Sequence, residues 1–205
     1  MSQEIVYGYK EKVYLNITNQ CPCARTFCIR SKKEAIGNAD SLWLEHQPSF
    51  EEVKNAIDIY PLKGVSEIIF CGYGEPTNSL DVLIKTAEYI RSHLGIKTRV
   101  NTNGLGNLIN DRSIAKELCE SVDAVSISLN CSNKEDYYKT VRPKFGIESF
   151  DAMLDFAREC KEYTDNVTLT VVDVIGEEEI KRCRAIAENL GIPLRVRKYD
   201  NSSEK

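Results

Sequence analysis

Histidine is nearly absent, with 2 copies in 205 residues, and proline and glycine are sparse at 6 and 11. So little proline and glycine, with 42% apolar residues, excludes fibrous and low-complexity classes and describes a chain that folds. No apolar run approaches the roughly 18 to 20 residues that a membrane-spanning helix needs. The first ten residues, Met1 to Lys10, lack the charged-then-apolar layout of a signal peptide, so a cytoplasmic location is expected. Basic surplus is also missing: the formal charge is −4, which gives no signal for a nucleic-acid partner. There is no internal repeat, low-complexity tract or linker. The expectation is one domain over 1–199 and a frayed polar tail over 200–205. His46 and His93 read as surface residues, His93 in a last helical turn where a cation is favoured.

What the chain does have is a periodicity that keeps switching. Apolar runs KVYLNI (12–17), EIIF (67–70), TRVNT (98–102), AVSISL (124–129), VTLTVVDV (167–174) and PLRVRK (193–198) read as six strands. Between them lie helical patterns. Ser49 and Glu52 form a capping-box signature ahead of a helix, and 80–94 sets Leu80, Ile84, Ala87, Ile90 and Leu94 on one face before Gly95 stops it. The runs 113–121, 150–163 and 177–190 continue the series. Strand–helix alternation implies right-handed crossovers and parallel strands. An eight-fold barrel takes about 250 residues, so the fold class expected is α/β, an open partial (β/α)6 TIM-like barrel.

In such folds, sites form where loops leave the C-terminal ends of strands. Five polar segments fall there: the cysteine loop after strand one, GYGEP after strand two, NTNGLG at the end of strand three, SLNCS at strand four and Asp173–Gly176 at strand five. Eight cysteines without an export signal read as thiols or metal ligands rather than disulfides. Cys21, Cys23 and Cys28 are clustered, whereas Cys71, Cys119, Cys131, Cys160 and Cys183 are scattered. Thiolates hold iron–sulfur clusters, and one that leaves an iron open needs three cysteines on a short loop. The stretch from about 30 to 48 is long enough to be functional.

The loop Cys21-Pro-Cys-Ala-Arg-Thr-Phe-Cys28 resembles that of the radical S-adenosylmethionine (SAM) enzymes, whose three cysteines are separated by three and two residues with an aromatic before the last. Cys21, Phe27 and Cys28 occupy their places, and Arg25 stands in the middle cysteine's. A guanidinium offers only donors and cannot ligate iron. Cys23 is the substitute at hand, displaced by up to about 7 Å in an extended chain. GYGEP (Gly72, Tyr73, Gly74, Glu75, Pro76) resembles the family segment whose backbone approaches the methionyl part of SAM, glycine permitting that approach. The resemblance implies that Glu75 meets the SAM ammonium, that Asn101, Asn103, Ser128 and Asn130 serve its ribose and carboxylate, and that the segment Val174 to Glu177 packs on its adenine, Asp173 and Ile175 being counted among the cofactor-binding residues. Arg142, Arg195 and Arg197 are candidates for a substrate or SAM carboxylate.

Over about 12–199, the runs LNITNQC, FCGYGEPT, RVNTNGLGNLIN, SISLN, VRPKFG and TVVDV…LRVRKY are similar to the TatD-associated radical SAM family in particular. That kinship implies a [4Fe–4S] cluster and SAM as cofactors, an external electron donor and a functional link to a TatD-type nuclease. The implied chemistry is reductive cleavage of SAM to a 5′-deoxyadenosyl radical acting on an unknown substrate. Little room is left for a covering domain, so an open barrel mouth and a macromolecular substrate or partner are expected. Two other readings stay open. One is a cluster-deficient relative that binds SAM, a nucleotide or a partner. The other is a structural zinc on Cys21, Cys23 and Cys28, which lacks a fourth ligand.

Overall fold

Alternation along the strands sorts their side chains onto two faces, and the helices cover only one. In the computed structural model, which describes residues 3–31 and 36–199, the strands are β1 (Val6–Tyr9), β2 (Lys12–Leu15), β3 (Glu67–Phe70), β4 (Lys97–Thr102), β5 (Ala124–Ser128), β6 (Val167–Val172) and β7 (Leu194–Arg197). They form one sheet in the order β1-β2-β3-β4-β5-β6-β7. From β2 to β7 every pairing is parallel. The helices are α1 (Phe50–Ile59), α2 (Leu80–Tyr89), α3 (Gly106–Asn110), α4 (Ala115–Ser121), α5 (Lys134–Val141), α6 (Ser149–Tyr163) and α7 (Glu177–Asn189). The expected tail, 200–205, lies outside the described residues.

Six parallel strands without closure are the open partial barrel that the alternation implied. The sequence reading needs correction at four places. A seventh strand, β1, adds antiparallel to β2, with Tyr7 opposite Tyr14. β6 ends at Val172, and Asp173–Ile175 turn as a single tight 3₁₀ turn. The helix expected over 80–94 widens in its last turn, Ile90–Leu94, before Gly95 ends it at φ 64°. Helices α3 and α5 had no apolar stripe to announce them; α5 starts where the Asn133 side chain accepts from the Asp136 N–H.

The convex face carries Val13, Leu15, Ile68, Phe70, Val100, Val125, Ile127, Leu169 and Val171, buried against helix residues such as Val53, Ile57, Leu83, Leu118 and Phe156. Four of the scattered cysteines, Cys119, Cys131, Cys160 and Cys183, are buried in this core as small apolar residues. The opposite set, including Tyr14, Glu67, Arg99, Asn101, Ser126, Ser128, Thr170 and Arg195, faces the concave side. There the sheet curls enough that Tyr14 on β2 feels the charge of Arg197 on β7, with four strands between them in the sheet order.

A second, small core closes one end of the concave face. Tyr7, Leu42, Ala39 and Tyr73 bury together, and the Tyr7 and Tyr14 rings stack at 5.2 Å. The long stretch after the cysteines is held here by side-chain amides: Asn16 Nδ2 donates to the Leu42 carbonyl at 2.7 Å and Asn19 Nδ2 to the Leu44 carbonyl at 2.7 Å. Residues 32–35 of that stretch lie outside the described residues.

α1 begins with both bonds of a capping box. The Glu52 N–H donates to Ser49 Oγ, and the Ser49 N–H donates to a Glu52 carboxylate oxygen at 2.8 Å. Losing such a cap destabilises a protein by about 1 kcal/mol. Ser49→Ala is therefore expected to lower the unfolding free energy by that amount, seen by circular dichroism as a lower urea midpoint at unchanged slope.

Candidate functional site

Burial forces a carboxylate to find donors, and Glu75 finds them on two strand ends. One oxygen accepts from Thr102 Oγ1 at 2.7 Å, Thr77 Oγ1 at 2.9 Å and the Thr77 N–H at 3.3 Å, and the other from the Asn103 N–H at 2.7 Å. Burial pushes its carboxyl above the usual range, while Thr102, Asn103 and Thr77 pull it back down. Its own N–H donates to the Gln20 carbonyl at 2.8 Å, one residue before Cys21. Glu75 thus ties the ends of β3 and β4 to the root of the cysteine loop. Its partners are all internal, whereas the resemblance implied the SAM ammonium.

The glycines beside it are needed by the chain itself. A Cβ on Gly74 would lie 2.1 Å from the Thr18 carbonyl oxygen, and one on Gly72 2.0 Å from Asn16 Oδ1. Only glycine lets the loops after β2 and β3 approach so closely. Tyr73 is buried in the small concave core, and Pro76 opens a 3₁₀ turn that Glu75 caps.

The cysteine loop is pinned by a backbone ladder. The Ala24 N–H donates to the Val141 carbonyl at 3.1 Å, the Thr26 N–H to the Thr140 carbonyl at 3.0 Å and the Lys144 N–H to the Pro22 carbonyl at 2.8 Å. Cys23, bridged to Pro143, is buried, with Asn103 Nδ2 at 3.6 Å from its sulfur. The hydrogen bond between Cys23 and Cys21 holds the Cys21 thiol below its ordinary range; the same bond, together with burial, pushes Cys23 up. Burial pulls the Arg25 guanidinium down, but Cys28, Cys21, Cys23 and Cys71 together hold it above its ordinary value. Its carbon sits 5.9 Å from the centre of the Phe27 ring. Arg25 is thus a cation set among four sulfurs.

Phe27 and Ile175 line one cleft of about 620 Å³, together with Thr26, Cys131, Thr140 and Val174. The other expected residues divide. Asn101 faces the concave side, and its Oδ1 is buried without a partner. Asn103 is buried and bonded as described. Asn130 is buried at φ 64° with Nδ2 on the Ser128 carbonyl at 3.1 Å, so both serve the turn after β5. Asp173 accepts from the Tyr199 N–H at 2.8 Å and ties down the chain after β7. Arg142 ends α5 in the left-handed region at φ 50°, with its backbone beside the cysteine loop and its exposed side chain donating to the Lys139 carbonyl. Sequence reasoning missed Thr102 and Asn16, both buried polar residues at or just beyond a strand end.

A parallel partial barrel with a thiol loop, a buried glutamate and an adenine-sized cleft on one rim defines a nucleotide-cofactor site of SAM-enzyme type. The chain belongs to the radical SAM superfamily, which it matches over residues 15–188. No curated protein matches it. Among solved structures it resembles anSMEcpe with bound AdoMet at 22% identity and TM-score 0.64, covering 94% of this chain and 52% of that one. A radical SAM methyltransferase from Sphaerobacter thermophilus aligns at 15% identity and TM-score 0.58, over 94% and 68%. The FeFe-hydrogenase maturase HydG from Carboxydothermus hydrogenoformans aligns at 16% and 0.59, over 92% and 44%. The chain thus spans about half of two of these proteins, and at these identities the likeness is one of fold.

Members of the superfamily use a [4Fe–4S] cluster and SAM. The orphaned Asn101 Oδ1 is an acceptor for a sugar hydroxyl, and the cleft lined by Phe27 and Ile175 has a volume in the usual range for a small-molecule ligand. The three-thiolate set does not fit as the loop stands. Arg25 holds the middle place, and among the described residues no three cysteine, histidine, aspartate or glutamate side chains converge as a metal-holding group. This applies equally to the expected iron ligands Cys21, Cys23 and Cys28 and to a zinc on them.

Glu75→Leu strands the donors of Thr102, Thr77 and Asn103 in a dry interior, where each costs about 1 to 3 kcal/mol. Its unfolding free energy in denaturant is expected to fall by roughly 3 kcal/mol or more, with Glu75→Gln falling by less because it keeps an acceptor.

Proposed function

We propose that this chain is a radical SAM-type enzyme whose SAM lies along the C-terminal strand ends, its substrate being unidentified. The observation that carries the reading is the meeting of Phe27, which directly precedes Cys28 in the cysteine loop, with Ile175, from the turn after β6, in one cleft. These two residues would hold the adenine, Asn101 and Ser128 the ribose and carboxylate, and the backbone from Gly72 to Pro76 the methionyl part. Glu75 would act on the ammonium only through its remaining lone pairs. In the family, the cluster supplies an electron for homolysis of SAM to a 5′-deoxyadenosyl radical.

Cys21 and Cys28 are the two thiolates at family positions, and Cys23 is the third sulfur within the loop. Recruiting Cys23 opposes the ladder to 140–144, whose three backbone bonds are worth about 1 kcal/mol each. The runs quoted above support the finer reading, a TatD-associated radical SAM protein with an external electron donor and a partner of TatD-nuclease type.

Anaerobic reconstitution with iron and sulfide, then SAM and dithionite, tests this. Iron below four per chain and release of 5′-deoxyadenosine are expected for the wild type, both diminished in Cys23→Ala and raised in Arg25→Cys, the iron to about four per chain. If neither protein with an intact Cys23, wild type or Arg25→Cys, holds iron or cleaves SAM, the reading fails.

A further inference from the structure

Strand alternation places three guanidinium groups on the concave face, where the SAM reading does not use them. Arg99 on β4 is flanked by the core-facing Val100 and Thr98, and Arg195 and Arg197 on β7 pair in register with Thr170 and Val172 of β6. The charges of Arg99 and Arg197 both act on Arg195 across the curl of the sheet. Arg195 reaches past β6 to donate to Ser126 Oγ on β5 at 3.1 Å. Burial, then the charges of Arg99 and Arg197, bring the Arg195 guanidinium below its ordinary value, and Glu67 and Tyr14 face it as well. Tyr14 in turn senses both Arg99 and Arg197.

The charges on this face do not balance. Glu67 is the carboxylate partner of Arg99, at 2.6 Å, and neither Arg195 nor Arg197 has a carboxylate partner among the described residues. The side chain of Arg99 is only 12% exposed, and its Nε is buried with no acceptor among the described residues. A buried donor without a partner, beside guanidinium groups that repel one another, is a disfavoured arrangement in the protein alone. An oxyanion relieves both: its oxygens accept from the fork-shaped donors of several arginines, and its charge offsets theirs.

We propose that Arg99, Arg195 and Arg197 form an oxyanion site on the concave face, buried at Arg99 and open to solvent at Arg195 and Arg197 on the edge strand, that receives an acidic group, carboxylate or phosphate, of the substrate. Arg99 lies below the SAM rim, whereas Arg195 is level in the sheet with Ser128 and Arg197 with the end of β6. Arg99 precedes Asn101 by two residues, about 7 Å along the same face of β4. A substrate anchored here by its acidic end would extend toward the strand ends. Arg195 is pre-oriented by Ser126, Arg99 by Glu67, and Arg197 completes the cage from the outer strand. Assigning the ligand as substrate rests on the SAM reading; the anion site itself rests on the arginines alone.

Isothermal titration at constant ionic strength, with the cluster-free protein, tests the site with inorganic phosphate in one arm and succinate in the other. Saturable binding of at least one anion is expected, weakened tenfold or more in the double variant Arg195→Gln/Arg197→Gln. Arg184→Gln, which removes an exposed helix cation, is expected to bind as wild type does. The arm that binds tighter identifies the acidic group. The site is refuted if neither anion saturates, or if the double variant, shown folded by its melting transition, binds as tightly as wild type. Since the probes need neither cluster nor SAM, this result and that of the reconstitution stand or fall separately.

Discussion

The site depends on one buried carboxylate. Glu75 accepts from Thr77, Thr102 and the Asn103 N–H, while its own N–H holds the Gln20 carbonyl. Parallel strands end with unpaired backbone groups, and in this barrel those of β3 and β4 are gathered onto a single side chain together with the chain leaving β2. The close approach that this requires excludes a Cβ at Gly72 and Gly74. Everything assigned to SAM on this rim, from the loop 72–76 to Asn103, takes its place from that knot. Removing it would loosen the loops before it altered any chemistry.

The cysteine loop obeys a second constraint. Its backbone forms a short antiparallel ladder with 140–144, after α5, so the sulfurs are presented on a fixed frame. Within that frame a permanent cation, Arg25, stands among Cys21, Cys23, Cys28 and Cys71, whose charges hold its guanidinium above its ordinary value. The same cation holds the place of a ligand. This is the tension in the molecule: the scaffold and cleft suit SAM, whereas the thiol set needs a change in the loop before it can hold a cluster.

Much of this was legible in the sequence because it follows from period and position. Six parallel strands came from apolar runs separated by helical patterns, and the rim motifs from their place after each run. What was not legible depends on contacts between distant residues. β1 is four residues long and contains Gly8, and its strand character comes from pairing with β2 and from stacking of Tyr7 on Tyr14. α5 buries only Tyr137 and Val141, too few for an apolar stripe. The role of Glu75 is set by which strand end lies next to it, and the side chain of Arg142 faces solvent because of one left-handed residue. The inward arginines were visible as alternation, but the action of their charges on one another required the curl of the sheet.

The central claim is that SAM is received on the rim knotted by Glu75. Hydrogen–deuterium exchange with and without SAM measures it directly. Added SAM is predicted to slow exchange in 24–28, 72–76, 101–104 and 173–176, with the helices of the convex face unchanged. Protection confined to other segments, or none at saturating SAM, would contradict the account.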